Sequence, residues 1–261
     1  MDTHLHPRAQ DGTADGSDGS DGSGHGPYRR PDTRIAQVIV EALDGARTVL
    51  DVGAGTGSYE HAARLVTAVE PSRSLRARRP ARLPRAVDAV PEPLPFADDE
   101  FDGAMTLFGV HQWSDASAGL RELRRVTRGP VVILTCDPER VREFWLHAYA
   151  PEVLDAEARR YPPLEDMAKA LGGNGTMQTV PIPLDCTDGF NEAYYGRPEL
   201  LLDPAARQAS SGWSFVDDAT RERFDATLRR DLESGVWDER LGHLRTQPTY
   251  EGSLVIVRAT R

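Results

Sequence analysis

The segment that most constrains the fold is TVLDVGAGTG (Thr48–Gly57), in which an apolar run carrying one acid passes into three alternating glycines. The run predicts a buried strand, and the glycines predict a tight turn that leads into a helix. Glycine is needed where the backbone adopts angles that other residues avoid, and where a Cβ would keep a ligand away from the chain. The segment therefore indicates a ligand held against the backbone at the end of a strand.

A second acid, Glu70, ends the next apolar run, Leu65–Val69. An acid at the end of the second strand of an α/β unit can accept hydrogen bonds from both ribose hydroxyls of a nucleotide. The glycines alternate as Gly-x-Gly-x-Gly, whereas the NAD-binding fingerprint is Gly-x-Gly-x-x-Gly. Asp51, the glycines and Glu70 together favour a nucleoside ligand other than NAD.

Further apolar runs at Phe101–Phe108 and Val131–Thr135 leave room for helices between them. Helical spacing of apolar residues predicts helices over Asp32–Leu43 and Leu120–Val126. This alternation predicts βαβ units on a parallel sheet. Beyond Pro138 the pattern predicts helices at Val141–Ala150, Ala156–Arg160, Glu165–Leu171 and Asp217–Glu233, and strands at Thr179–Leu184 and Ser253–Thr260.

Composition narrows the class of protein. The chain has 261 residues and a formal net charge of −10, which argues against a nucleic-acid partner because such affinity comes chiefly from Lys and Arg. It has neither an 18-residue apolar stretch nor an apolar N-terminus, so we expect a cytoplasmic protein without a membrane partner. Its basic residues are almost all arginine, which is typical of a GC-rich bacterial genome. Cys136 and Cys186 lack metal-ligand spacing, and we expect two reduced thiols and no metal.

The first 27 residues are rich in Gly, Asp and Ser, a composition that does not repay the entropy of ordering. We therefore predict a disordered tail over residues 1–27 and a single enzyme domain over residues 28–261. The histidines of the tail lack fixed geometry and are not assigned to a metal.

The chain resembles the class I S-adenosylmethionine-dependent methyltransferases, specifically the UbiE-like group called the methyltransferase 11 family. The resemblance covers roughly Tyr28 to Thr135 and extends weakly to the final strand. The stretches that carry it are VLDVGAGTG (Val49–Gly57), VEPS (Val69–Ser72), EPLPFADDEFDGAM (Glu92–Met105), HQWSD (His111–Asp115) and LRELRRVTRGPVVILT (Leu120–Thr135).

The resemblance implies a Rossmann-like α/β fold. Its seven-stranded sheet would have an antiparallel last strand, helices on both faces and a small C-terminal cap of helices and loops. Residues 28–137 would form the cofactor-binding half, and residues 138–261 the substrate-side half.

The resemblance also implies S-adenosylmethionine as the cofactor. Gly53, Gly55 and Gly57 would face its methionine part, Asp51 its ammonium group and Glu70 its ribose. The cofactor-binding residues implied in this way are Tyr28, Arg30, Asp51, Gly53, Ala54, Gly55, Gly57, Glu70, Pro71, Asp88, Val90 and Leu107.

One position departs from the family. An acid followed by a small residue usually precedes the Glu-x-Leu-Pro segment and binds the adenine amino group, but here Val90 and Pro91 take those places. Pro91 has no backbone N–H to offer the ring. Two alternatives remain for adenine, the backbone of Val90 and the carboxylate of Asp88, while Asp88 is equally well explained as an exposed carboxylate.

The loop after the fourth predicted strand, Gly109–Asp115, would lie beside the reactive methyl group. His111 is the one group there whose ordinary pKa is near neutrality, so it is the candidate general base. The alternative is a histidine that packs on Trp113 and only shapes the pocket. The residues predicted to line the acceptor site are Phe108, His111, Trp113, Tyr194, Tyr195 and Arg197.

Three functions follow from these features. The first is methyl transfer to an oxygen or nitrogen of a small molecule, which the acidic charge and the aromatic-rich C-terminal part favour. The second is methylation of a protein or peptide side chain. The third is a cofactor-binding module without catalysis, for which the Val90-Pro91 departure is the only support.

Overall fold

The computed structural model describes residues 28–261, and the predicted tail lies outside these residues. The helices of the described part are α1 (Thr33–Ala42), α2 (Arg73–Arg78), α3 (Ala116–Val126), α4 (Pro151–Arg160), α5 (Leu164–Ala170), α6 (Pro204–Gln208), α7 (Asp218–Glu233) and α8 (Val236–Leu241). The strands are β1 (Thr48–Val52), β2 (Leu65–Val69), β3 (Gly103–Leu107), β4 (Val131–Cys136), β5 (Gly175–Thr179), β6 (Ile182–Pro183), β7 (Thr249–Tyr250) and β8 (Leu254–Ala259).

The main sheet of the described residues has six strands in the order β2-β1-β3-β4-β8-β5. Strands β1 to β4 are mutually parallel, and β8 runs antiparallel between β4 and β5. The predicted α/β class, with an antiparallel last strand, is therefore confirmed. Because the parallel strands end at one edge, the loops that follow them meet there, as in other open α/β sheets.

Both faces of the sheet are apolar and covered. Alternate residues of β4 point to opposite faces, so that Val132 and Leu134 join one cluster of buried side chains while Val131 and Ile133 join the other. Helix α1 and the C-terminal part cover the first face, and helices α3 and α5 cover the second. The cavity described below lies at the rim of this two-sided core.

The sheet has one strand fewer than predicted. At the edge beyond β2 the chain makes a single parallel bridge, between Val69 and Val87. Within residues 28–261, this bridge does not extend into a strand. Pro84 and Pro91 flank this segment, and proline cannot donate to a ladder of backbone hydrogen bonds. The seventh strand is thus reduced to one bridge.

The helix predicted after Gly57 is wrong. In the described chain β1 joins β2 through turns alone, because the segment between Gly57 and Leu65 is too short to form a helical crossover. Glu60 and Arg79 occupy the space beside the turn as a buried ion pair with an N–O distance of 2.6 Å. The cofactor turn is therefore supported by this ion pair rather than by a helix.

The C-terminal cap consists of short elements. The helix predicted at Val141–Ala150 is wrong: two single 3₁₀ turns are separated by Phe144, whose backbone is extended, and its ring packs 5.1 Å from that of Trp145. The strand predicted at Thr179–Leu184 is split, because β5 ends at Thr179 and Ile182–Pro183 pairs with β7 in a separate sheet. The prolines at 181 and 183 prevent continuous pairing.

Within residues 28–261, no helix combines the length and the apolar character that crossing a membrane requires.

Candidate active site

The carboxyl ends of β1 to β4 open into one cavity of about 1460 Å³. Pockets for a single drug-sized ligand usually measure about 300–1,000 Å³, so this cavity has room for a cofactor and a second molecule. Its walls come from the glycine turn, the ends of β2 and β3, helix α4 and the segment from Asp188 to Arg221. The site predicted from the first half of the chain is thus completed by the second half.

The glycine turn forms one wall. Gly53 and Gly55 line the cavity with φ of +74° and +53°, angles that favour glycine, and a Cβ built on Gly55 would meet no described atom within 4 Å. Ala54 lines the cavity as well. Gly57 is outside the described lining; a Cβ there would come within 2.4 Å of Leu83. Two of the three predicted glycines therefore line the cavity, Gly55 with open space beside it, and the third closes the turn.

Glu70 is fixed at the end of β2. Its Oε2 accepts a hydrogen bond from the backbone N–H of Gly55 and its Oε1 accepts one from Ser72, each at 2.8 Å. The side chain is buried and lines the cavity together with Pro71. Each carboxylate oxygen can accept more than one hydrogen bond, so Glu70 is oriented and still able to bind hydroxyl groups.

Asp51 at the end of β1 is buried in the cavity wall. Its burial, with the neighbouring carboxylate of Glu60, raises the pKa of Asp51 well above the usual value of 3.8. A cationic ligand group placed beside Asp51 would relieve both effects. The glycine turn, Glu70 and Asp51 together fit the methionine, ribose and ammonium parts of S-adenosylmethionine.

The residues predicted to contact adenine separate in the structure. Val90, Pro91 and Leu107 line the cavity, whereas Asp88 is absent from its described lining. Asp88 instead makes an exposed ion pair with Arg76, with an N–O distance of 2.5 Å. The placement favours the backbone and side chain of Val90 over the carboxylate of Asp88 for contact with adenine.

The N-terminal segment contributes a different arginine from the predicted one. Arg29 lines the cavity, 2.5 Å from the buried carboxylate of Asp188 and 5.3 Å from the ring centre of Phe108. Arg30 is exposed, and the hydroxyl of Tyr28 donates to Asp203. Neither of these two residues is among the described residues of the cavity wall.

His111 and Trp113 also line the cavity, and the indole nitrogen of Trp113 would lie 3.8 Å from a Cβ built on Gly53. Among the described residues, neither ring nitrogen of His111 has a hydrogen-bond partner, and its ring packs 4.8 Å from that of Tyr161. Burial, followed by the charges of Arg160 and Arg29, lowers the pKa of His111 to about 3. His111 is therefore a neutral imidazole near neutral pH.

The predicted residues of the acceptor site separate into two groups. Phe108, His111 and Trp113 line the cavity, whereas Tyr194, Tyr195 and Arg197 are outside its described lining. The hydroxyl of Tyr195 donates to the carbonyl of Gln247, and Arg197 donates to the carbonyls of Cys186 and Ala193. These three residues pack the cap.

The wall residues that the sequence did not predict include Glu157, Asn191 and Glu192. Trp213 Nε1 donates to Asn191 Oδ1 at 2.9 Å, and Asn191 Nδ2 donates to Glu157 Oε1 at 2.9 Å. Glu192 accepts two hydrogen bonds from the backbone N–H of Ser253, at 2.9 and 3.0 Å. Burial raises the pKa of both Glu157 and Glu192 to about 7. One signal was available: Glu157 falls on the apolar stripe of α4, where an acid is unexpected.

Comparisons with known proteins agree with this architecture. A profile described as a methyltransferase domain matches residues 50–133. A malonyl-[acyl-carrier protein] O-methyltransferase of Halorhodospira halophila is 31% identical in an alignment 195 residues long, and the alignment covers 68% of this chain and 64% of that protein. The match thus spans less than two thirds of that relative.

Two solved structures have the same fold. A candidate methyltransferase from an antibiotic biosynthesis pathway of Anabaena variabilis is 27% identical with a TM-score of 0.83, covering 90% of this chain and 100% of that one. An S-adenosylmethionine-dependent methyltransferase of Thermotoga maritima, at 15% identity and a TM-score of 0.52, covers 87% of this chain and 88% of that one. The second likeness concerns the fold alone.

Proposed function

Since the chain carries a class I methyltransferase domain, whose cofactor is S-adenosylmethionine, we propose that it transfers a methyl group to an oxygen or nitrogen atom of a small molecule. The observation that carries the proposal is the single cavity, in which the glycine turn and Glu70 face the same space as His111, Glu157 and Glu192. A cofactor bound at the turn would meet an acceptor bound at the other end.

S-adenosylmethionine supplies an electrophilic methyl group on a sulfonium, so the chain's own residues mainly bind, orient and exclude water. In this proposal Glu70 binds the ribose, Asp51 the ammonium group, and the backbone at Gly53 and Gly55 the methionine part. Phe108 and Trp113 are the apolar walls that orient the acceptor. Residues 28–137 thus form the cofactor half and residues 138–261 the acceptor half.

His111 is proposed to accept the acceptor's proton or to position the acceptor. The low pKa favours positioning, because an imidazole that protonates only near pH 3 is a weak base. If His111 is the base, its imidazole is already neutral throughout the physiological pH range. Turnover near pH 7 would then not change with the protonation of His111. Loss of its ring would lower kcat by roughly 10²–10⁴-fold if it is the base.

A small acceptor is favoured over a protein side chain because the acceptor end of the cavity has buried aromatic walls, including Trp213 and Phe190. Similarity to an O-methyltransferase supports an oxygen acceptor, although it concerns only part of that protein. We further propose a cytoplasmic location. The competing module without catalysis would bind the cofactor and transfer nothing.

The test has two steps. Purified protein is first titrated with S-adenosylhomocysteine by calorimetry, and then incubated with S-adenosylmethionine and a library of small hydroxyl and amine compounds while S-adenosylhomocysteine is measured. Binding followed by acceptor-dependent product supports the proposal. Absence of binding overturns it, and binding without product from any compound favours the module.

A further inference from the structure

Two acids at the acceptor end of the cavity are left without a role by the cofactor assignment. Asp51 and Glu70 face the cofactor, and Asp188 pairs with Arg29. Glu157 on α4 and Glu192 in the cap remain, and both line the cavity. Each raises the other's cost of ionisation, since the charge of Glu157 contributes to the raised pKa of Glu192.

The hydrogen-bond donors that hold these two acids are neutral. Glu192 accepts from a backbone N–H of Ser253, and Glu157 accepts from the side-chain amide of Asn191. Within residues 28–261, no salt bridge reaches either carboxylate. Arg160 and Arg140 lower their pKa values from a distance, but burial dominates. The two carboxylates are thus oriented by neutral donors and have no ion-pair partner among the described residues, which makes their ionised forms costly inside a protein.

The three arginines that line the described cavity wall offer no uncompensated positive charge to an anionic acceptor, because each already pairs with an acid. Arg29 pairs with Asp188, Arg207 pairs with Asp225 at 2.5 Å, and Arg221 pairs with Asp218 at 2.6 Å. A carboxylate acceptor would also be repelled by Glu157 and Glu192. The electrostatics of the acceptor end therefore select against negative charge.

A second observation, independent of the acids, indicates a polar ligand in the same cavity. Ser210 lines the cavity and is only 6% exposed, yet its hydroxyl has no partner among the described residues. The two ring nitrogens of His111 also have no hydrogen-bond partner among the described residues. Buried polar atoms without partners are rare, and those in a cavity wall are expected to bind a ligand or water.

Aromatic rings also line the acceptor end of the cavity. Tyr161, Phe190 and Trp213 line the cavity near the two acids, and Tyr161 packs on His111. Aromatic faces attract cations as well as apolar groups. A ligand with an apolar body and one positive group would match these walls.

We propose that the acceptor carries a protonated amino group and that this group binds to Glu157 and Glu192. The inference rests on the proposed function, which supplies the cofactor at the other end of the cavity. Ser210 would accept a further hydrogen bond from the ammonium group. Binding of the cation would neutralise the two buried carboxylates, and the acceptor would be held with its apolar part between the aromatic rings.

The experiment uses the full chain saturated with S-adenosylhomocysteine. It is titrated with matched sets of an amine, an alcohol and a carboxylate that share a butyl, a cyclohexylmethyl or a phenylethyl scaffold, and binding is followed by ligand-observed NMR. We expect the amine of at least one set to bind about tenfold or more tightly than its alcohol and carboxylate partners. Amines that bind no more tightly than alcohols, or show no binding, overturn the inference.

Variants of the two glutamates test whether these residues cause the preference for amines. Glu157→Gln and Glu192→Gln keep the shape and one acceptor oxygen but remove the charge, so each should reduce amine binding about tenfold or more while alcohol binding changes little. Glu165→Gln, on the exposed face of α5, is the matched control and should bind amines like wild type. Amine binding that survives both substitutions also overturns the inference.

The titration with S-adenosylhomocysteine separates this inference from the proposed function. If wild type and both variants bind S-adenosylhomocysteine equally and only the amine preference is missing, the acceptor class is wrong and the methyltransferase proposal stands. If wild type does not bind S-adenosylhomocysteine, the proposed function itself fails. Thermal melting of each variant shows that a loss of amine binding is not a loss of folding.

Discussion

Arg29 lies 2.5 Å from Asp188 and couples the N-terminal segment to the cap at the cavity wall. Asp188 also accepts a hydrogen bond from the hydroxyl of Tyr59 at 2.7 Å. The carboxylate of Asp188 is buried, so water cannot replace Arg29 as its partner. The N-terminal segment and the cap are therefore joined at the cavity wall by this buried ion pair, beside a backbone bridge between the same two residues.

Arg29→Ala should lower the free energy of unfolding by about 2–4 kcal/mol, because it leaves the buried carboxylate of Asp188 without its cation. Arg30→Ala, the matched control one residue away, removes an exposed side chain and should change stability by less than about 0.5 kcal/mol. Urea unfolding of the two variants measures both values. Equal stabilities for the two would show that the ion pair is unimportant.

His111→Gln should make the protein less sensitive to acid. The pKa of His111 is about 3 in the folded protein against 6.5 ordinarily, so the unfolded chain binds the proton first, and stability is lost as pH falls below about 6.5. Between about pH 7 and pH 5 wild type should lose about 2 kcal/mol more than His111→Gln. Urea unfolding at the two pH values tests this. A parallel loss in both proteins would mean that His111 is solvated.

Glu192→Gln should act in the opposite direction. Glu192 has a raised pKa of about 7 against 4.5 ordinarily, so the folded protein holds the proton more tightly, and stability falls as pH rises from about 4.5 to 7. Between about pH 5 and pH 8, without ligand, wild type should lose about 2–3 kcal/mol that the variant does not lose. The same pH dependence in both proteins would show that the carboxylate is not desolvated.

The sequence was sufficient to predict most of the proposed cofactor half because local rules decide its strands and its glycine turn. The apolar run at Leu65–Val69 forms a strand with the predicted bounds, and the glycines after β1 adopt the positive φ angles that only such residues favour. The helix predicted after Gly57 is absent from the described residues because the segment between Gly57 and Leu65 is too short for one, and the glycine pattern alone does not report that length.

The acceptor half was harder to predict because its site depends on tertiary contacts. Tyr194 and Tyr195 look like pocket residues by their type, but the ring of Tyr195 stacks on Tyr250 at 5.1 Å inside the cap. Asn191 and Glu192, a few positions earlier, face the cavity instead. No periodicity distinguishes the two pairs in a segment of 3₁₀ turns, since side-chain direction there follows the path of the loop.

The most direct test of the account is calorimetric titration of S-adenosylhomocysteine into wild type, Glu70→Ala and Glu41→Ala. Glu70 is the oriented carboxylate of the cofactor end, and Glu41 is an exposed acid on α1 that serves as the control. Wild type and Glu41→Ala should bind with the same dissociation constant, and Glu70→Ala should bind more weakly by roughly 1–3 kcal/mol. No binding by wild type, or one constant for all three proteins, would contradict the assignment of this cavity to the cofactor.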